Sequence, residues 1–236
     1  MLLEAAHYTL AMALSKRRKA DEVRDAVSLW SRARRCFRAW RPHEEACRVF
    51  VRDHVEKMAP RRTVAVLGSG LLRDVPMNTL SKMFDKVYLY DLVHLPSVRL
   101  RAFLRGWRNV EFVECDLADE VNLDFLKKMP DVDLVISANL LSQMTVELLD
   151  DGLRLEAEDL ARAHMANLFM GPWKGCLLSD IIFEEKDRQG AVIKSGDLLA
   201  GVEPPAADQI WHWTVVPFGE VDDQHETVHT VIAVWK

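Results

Sequence analysis

No apolar run in the sequence approaches the roughly 20 residues that a membrane-spanning helix needs. No membrane span is therefore expected. The opening stretch MLLEAAHYTLAMALSKRRKA is apolar, but Glu4 interrupts it. Its basic cluster follows the apolar part, where a secretory signal places it before. The expected location is cytoplasmic. Cysteine pairs are also missing. Cys36, Cys47, Cys115 and Cys176 include no Cys-x-x-Cys spacing, and no histidine pair stands beside them at ligand spacing. That argues against a structural zinc site or a disulfide framework, so no metal is expected. The thiols read as small buried hydrophobes. Internal repeats and low-complexity segments are absent too.

What is present fits one large domain, or a domain with a helical extension, in 236 residues. A hydrophobic content of 49% is ample for a core. Charge is unevenly spread. Residues 1–62 carry 15 Lys and Arg against 8 Asp and Glu, whereas the remainder carries 16 against 28. A basic N-terminal third on an acidic body suits an anionic partner: a small anionic substrate, RNA or a lipid surface. It equally suits solvated helices that pair with the acidic body. No RNA-binding module is recognisable, and nothing in the sequence sets the oligomeric state.

Residues 1–59 read as an N-terminal helical extension. Val23, Val27, Trp30, Phe37 and Trp40 fall on one helical stripe. Pro42, followed by His43, Glu44 and Glu45, reads as the start of a new helix. From residue 60 to 236 strands alternate with helices. TVAVLGSG is a buried parallel strand and its turn. KVYLYD ends a second strand in Asp91, VEFVECD a third in Asp116, and VDLVISAN is a fourth. CLLSDIIFEE is a fifth strand, extended through DRQG into a return strand AVIK. IWHWTVVPF and ETVHTVIAVWK follow without an intervening helix, so they must run antiparallel. The fold class is α/β: a doubly wound, mostly parallel, Rossmann-like sheet with an antiparallel C-terminal strand.

In such a sheet ligands gather outside the carboxyl ends of the strands. Gly68 and Gly70 follow the first strand and permit a tight turn around Ser69. Asp91 stands 21 residues after Gly70, where a carboxylate accepts both hydroxyls of a ribose. Asp116 is placed to receive an adenine amino group. Each feature alone has a plain structural reading, a tight turn or a helix cap. Their order within about 50 residues points to an adenosine cofactor.

On VLGSG, YLYD, ECDLAD, DLVISANLLSQ and the terminal antiparallel pair, residues 60–236 resemble the Rossmann-like S-adenosylmethionine-dependent methyltransferases. The resemblance implies S-adenosylmethionine as cofactor, held by Gly68, Ser69, Gly70, Asp91, Asp116, Leu117, Ser137 and Asn139. Ser137, Ala138 and Asn139 would then lie near the methionine part. Three departures stand out. The family's acid two residues before the first glycine is here Val66. Its third glycine is Leu72. No Asn/Asp-Pro-Pro-Tyr motif follows the fourth strand. An NAD(P)-dependent oxidoreductase and a non-catalytic binding protein of the same fold are the alternatives. A dinucleotide fingerprint would want glycine where Arg73 stands, whereas Arg73 could meet the carboxylate of S-adenosylmethionine.

Catalytic candidates at strand ends are Asn139 and Asp180, with Gln143 and His94 as further possibilities. Asp180 interrupts an apolar strand, and a carboxylate there needs a partner or a function. His164 reads as a helix residue of the core or surface, and His43 as a surface residue at a helix start. Asp74 reads as a helix cap. Trp211 and Trp213 share one strand face and are expected to pack in the core.

Overall fold

The computed structural model describes residues 2–15, 20–129 and 131–236. The basic cluster at 16–19 lies outside the described residues. Three helices come first: α1 (Leu2–Leu14), α2 (Ala20–Arg35) and α3 (Phe37–Val55). Alternation follows: β1 (Thr63–Leu67), α4 (Met77–Met83), β2 (Lys86–Asp91), α5 (Pro96–Arg105), β3 (Val110–Glu114), α6 (Asp124–Lys127), β4 (Val132–Ala138), α7 (Leu141–Asp150) and α8 (Arg154–Met170). The chain ends in β5 (Lys174–Asp187), β6 (Val192–Asp197), β7 (Gln209–Val216) and β8 (His225–Trp235).

The sheet order is β3-β2-β1-β4-β5-β8-β7, with β6 paired to the far half of β5. The first five strands are parallel, and β8 runs antiparallel to both β5 and β7. Strand order reverses between β1 and β4, and that switch opens a crevice at their carboxyl ends. β1 and β4 are buried throughout because helices cover both faces. On one face Val64, Val66, Leu89 and Ile136 pack beneath α3, α4 and α5; on the other Ala65, Leu67, Val135 and Leu177 pack beneath α7 and α8. Phe50, Val51 and Val55 of α3 belong to the first of these cores.

Four expectations change. Pro42 lies inside α3 rather than at its start. The helix begins at Phe37, and the packing of Trp40, His43 and Cys47 outweighs the one donor that proline removes. Phe37 leaves the apolar stripe and is half exposed, because the chain breaks at Cys36 between α2 and α3. Strand β3 ends at Glu114, so Asp116 stands in the following loop. The short helix α6 has no sequence signal strong enough to mark it.

Because Phe50 is fully buried in the core that α3 shares with the sheet, Phe50→Ala should cost about 3–5 kcal/mol. Circular dichroism and tryptophan fluorescence should report one common transition at lower temperature. A main transition left in place, with only a separate helical one displaced, would show that residues 1–59 fold independently.

Candidate functional site

The turn after β1 is held by the end of β2. The N–H groups of Gly68 and Ser69 both donate to the carbonyl of Tyr90, at 3.0 and 3.1 Å. The N–H of Gly70 donates to Asp91 Oδ2 at 2.5 Å. Both glycines have positive φ, 71° and 47°, which L side chains resist. Their surroundings differ. A Cβ at Gly68 would stand 2.7 Å from Leu140 Cβ, so Gly68 is demanded by the β4–α7 turn packed against it. A Cβ at Gly70 would meet nothing nearer than Gly68 O at 3.9 Å, so Gly70 faces open space. Leu72, in place of the third glycine, still adopts a left-handed φ of 54°. Its N–H closes the turn on Ser69 O, and its side chain is buried in the core.

Asp91 is partly buried. Burial raises its carboxyl above the ordinary range, against His94 and the N–H groups of Gly70, Leu92 and Val93, which favour the ionised form. His94 is buried beside it and hydrogen bonds through Nε2 to Val113 O at 3.1 Å. Burial pulls its imidazole down. Asp116 is half-buried and accepts from the Ala118 N–H at 3.3 Å, while Leu117 is buried under the second face of the sheet.

At the end of β4 the side chains part. Ser137 Oγ turns into the core and lies 2.9 Å from His164 Nε2 on α8. Its hydroxyl is thus engaged away from the strand ends, so a cofactor contact through that group is corrected to a core contact. His164 is fully buried and pulled down to about 4, hence neutral. Asn139 does stand in the crevice. It has a φ of 50°, and its Nδ2 donates to Asp74 Oδ2 at 2.7 Å. Asp74 is therefore no helix cap: α4 has no side-chain cap. Gln143 donates to the backbone carbonyl of Asn139 at 2.7 Å. Three buried polar atoms around these strand ends have no partner among the described residues: Ser69 Oγ, His94 Nδ1 and Asn139 Oδ1. Buried polar groups are normally satisfied.

Arg73 is committed elsewhere. Its guanidinium grips Glu44 of α3, with Nε 2.6 Å from Oε1, and donates to Ala33 O at 2.7 Å while lying over Phe37. It straps the loop to α2 and α3 and is not available for a cofactor carboxylate.

Asp180 has a partner that sequence reading missed. His229 Nδ1 on β8 lies 2.5 Å from Asp180 Oδ2, and Ser142 Oγ, at the start of α7, donates to Asp180 Oδ1. Burial pushes the carboxyl up, but His229 and Ser142 more than offset it, and it stays below the ordinary range. A register shift in β5 just after Asp180 re-aims the strand there. The available signal was the alternation of β8, which sets its residues against an Asp otherwise lacking a partner. His43 is buried, not on the surface. It stacks on Trp213 with ring centroids 4.1 Å apart, accepts from Trp211 Nε1 at Nδ1 (3.0 Å), and is pulled down to about 4 by burial.

A cleft of about 400 Å³ lies between α8 and Pro204–Pro205, and one of about 310 Å³ lies between α3, α4 and α5, lined also by Leu72 and Val75 of the loop after β1. Among the described residues no group of three His, Cys, Asp or Glu is arranged to hold a metal ion.

No family model matches the chain, and no curated protein matches it. Solved structures with similarity include the DhpI–SAM–HEP complex, at 16% identity and TM-score 0.41, covering 87% of this chain and 96% of that one. N-methyltransferase NodS from Bradyrhizobium japonicum WM9, in complex with S-adenosyl-L-homocysteine, is similar at 11% identity and TM-score 0.35, over 80% of this chain and 86% of that one. A SAM-dependent methyltransferase from Leishmania major is similar at 11% identity and TM-score 0.40, over 80% and 72%. At these identities and scores the likeness by itself assigns no activity.

Asp74 is partly buried, and its carboxyl is pushed up to about 6 by desolvation, against the Asn139 hydrogen bond. An acid with a raised folded pKa keeps its proton longer in the folded state, so stability is present at low pH and lost as pH rises from about 4 to about 6. Asp74→Asn removes that loss and keeps an acceptor for Asn139. Denaturant titrations should find variant and wild type alike near pH 4, with the variant about 3 kcal/mol more stable above pH 6. A difference that does not vary with pH would refute the assignment.

Proposed function

We propose that this chain is a methyltransferase that uses S-adenosylmethionine and transfers the methyl group to a small or anionic acceptor. The observation that carries the reading is the convergence of Gly70, Asp91 and the unpartnered Ser69 Oγ and Asn139 Oδ1 at the switch point between β1 and β4. Gly70 leaves space beside the turn for a ligand to approach the backbone. Asp91 would take the ribose hydroxyls, Asp116 and Leu117 the adenine, and Asn139 the methionine part. When bound, the cofactor supplies an electrophilic methyl on a sulfonium. The chain then has to align an acceptor with it and exclude water.

A nicotinamide dinucleotide fits less well. Its pyrophosphate needs free backbone N–H groups at the turn and the N-terminus of a following helix. Here the N–H groups of Gly68, Ser69 and Gly70 are already bonded to Tyr90 and Asp91. The next helix does not begin until Met77 and spans only 7 residues. An adenosine cofactor without phosphate asks for none of these donors.

Calorimetry should give a micromolar-range Kd for S-adenosylhomocysteine. Gly70→Arg, which fills the open side of the turn, should abolish binding. Asp91→Ala should weaken it by at least about tenfold, equivalent to about 1.4 kcal/mol. No binding by folded wild-type protein, or a thermal shift with NADH instead, would sink the proposal.

A further inference from the structure

We infer that His229, oriented by Asp180, is the proton acceptor for a hydroxyl-bearing acceptor molecule bound beyond the carboxyl end of β4, beside the middle of β5. This rests on the methyltransferase reading for its reaction, though not for its geometry. Asp180 follows Leu178, which pairs with Ala138 at the end of β4, so it stands on the sheet's ligand side. Its carboxylate can only accept, so the 2.5 Å contact fixes the proton of His229 on Nδ1. Nε2 is then the basic nitrogen, and it has no hydrogen-bond partner among the described residues. The His229 side chain is 15% exposed, against 9% for Asp180, so the dyad is anchored inside and open at the imidazole. The groups facing it are Asp180 and Phe183 from β5, Trp213 from β7 and His43 from α3. Trp213 Nε1 is a buried donor without a partner among the described residues.

The dyad tells acceptor classes apart. A neutral amine can attack a methyl group and shed its proton to water afterwards. A thiol ionises near neutral pH unaided. A hydroxyl must lose its proton as the ether forms, and that is where a positioned base contributes about 100-fold or more. In the step, the acceptor oxygen bonds to the methyl carbon while the carbon–sulfur bond breaks and its electron pair stays on sulfur. The hydroxyl proton passes to His229 Nε2, and Asp180 offsets the resulting imidazolium charge. His43 cannot share this role, since its Nδ1 is occupied by Trp211 and it is almost fully buried. Asp180 and Ser142 are positioning residues.

The full chain tests this in three measurements. Long-range ¹⁵N NMR should find the His229 proton on Nδ1, and Asp180→Asn should change that tautomer. Diethylpyrocarbonate should modify His229 at least about tenfold faster than the buried His43, His94 and His164, because only accessible unprotonated nitrogens react. His229→Gln and Asp180→Asn should bind S-adenosylhomocysteine within about twofold of wild type, while transfer to phenol, catechol and 4-hydroxybenzoate falls about 100-fold or more. Transfer unchanged in His229→Gln, transfer to aniline in preference to the phenols, no transfer to any hydroxyl probe, or an inert His229 would each overturn the inference. Failure of wild type to bind S-adenosylhomocysteine sinks the cofactor reading instead; the tautomer and modification results then stand alone as the test of the dyad.

Discussion

Helix α3 packs against β7 and β8 and is tied to the loop after β1 through Glu44 and Arg73, and each acid buried around these elements must be paired, neutralised or bonded by the backbone. Each of four acids finds a different solution. Glu44 is raised by burial but held by the fork of Arg73. Asp74 gives way and titrates near 6. Asp91 is cradled by backbone N–H groups. Asp180 takes a histidine from the antiparallel edge of the sheet. Only the last of these arrangements leaves a basic nitrogen facing outward, and only the surroundings of Asp91 leave several polar atoms unsatisfied. The same burial thus separates the proposed ligand-binding region from the proposed proton acceptor.

It also accounts for the two departures in the glycine turn. Leu72 takes the left-handed conformation that a glycine would supply, and the cost of that strain is about 1–2 kcal/mol. Full burial of a leucine returns roughly 1.5–3 kcal/mol, and Leu72 is 5% exposed. The substitution is therefore sustainable as long as α3 keeps that side chain covered. Arg73 is part of the same bargain. By bonding Glu44 and Ala33 O it ties the loop to α2 and α3, next to the buried Leu72. Part of the basic character of residues 1–62 is structural: Arg35 of α2 pairs with Glu220 and Arg62 with Asp133.

The parallel strands were legible because β-branched runs such as TVAVL are buried on both sides and carry little else. The antiparallel ending was legible because no helix separates β7 from β8. What escaped reading depends on contacts distant in sequence. Pro42 reads as a helix start by local preference, and only the packing of Trp40 and His43 against β7 shows otherwise. Ser137 and Asn139 are two residues apart and would share a face in a continuous strand, yet one turns to α8 and the other to the crevice, because β4 ends at Ala138 and Asn139 takes a left-handed φ of 50°. Asp180 could be recognised as an acid needing a partner, but the partner lies 49 residues away across a register shift.

The β4–α7 turn joins the two regions. The Asn139 N–H donates to Leu178 O, which fixes the end of β4 against β5. Three residues later Ser142 reaches Asp180 from the first turn of α7. Gly68 packs against Leu140, in the same turn, closely enough to exclude even a methyl group. The glycine loop, the polar group of Asn139 and the Asp180–His229 pair are therefore fixed to one short segment, residues 139–142. A shift of that segment would move the ligand-binding face and the proton acceptor together. That coupling is what a displacement reaction requires, because nucleophile, transferred carbon and leaving group must stay in line. A scaffold that only bound a ligand would need the first contact and not the last.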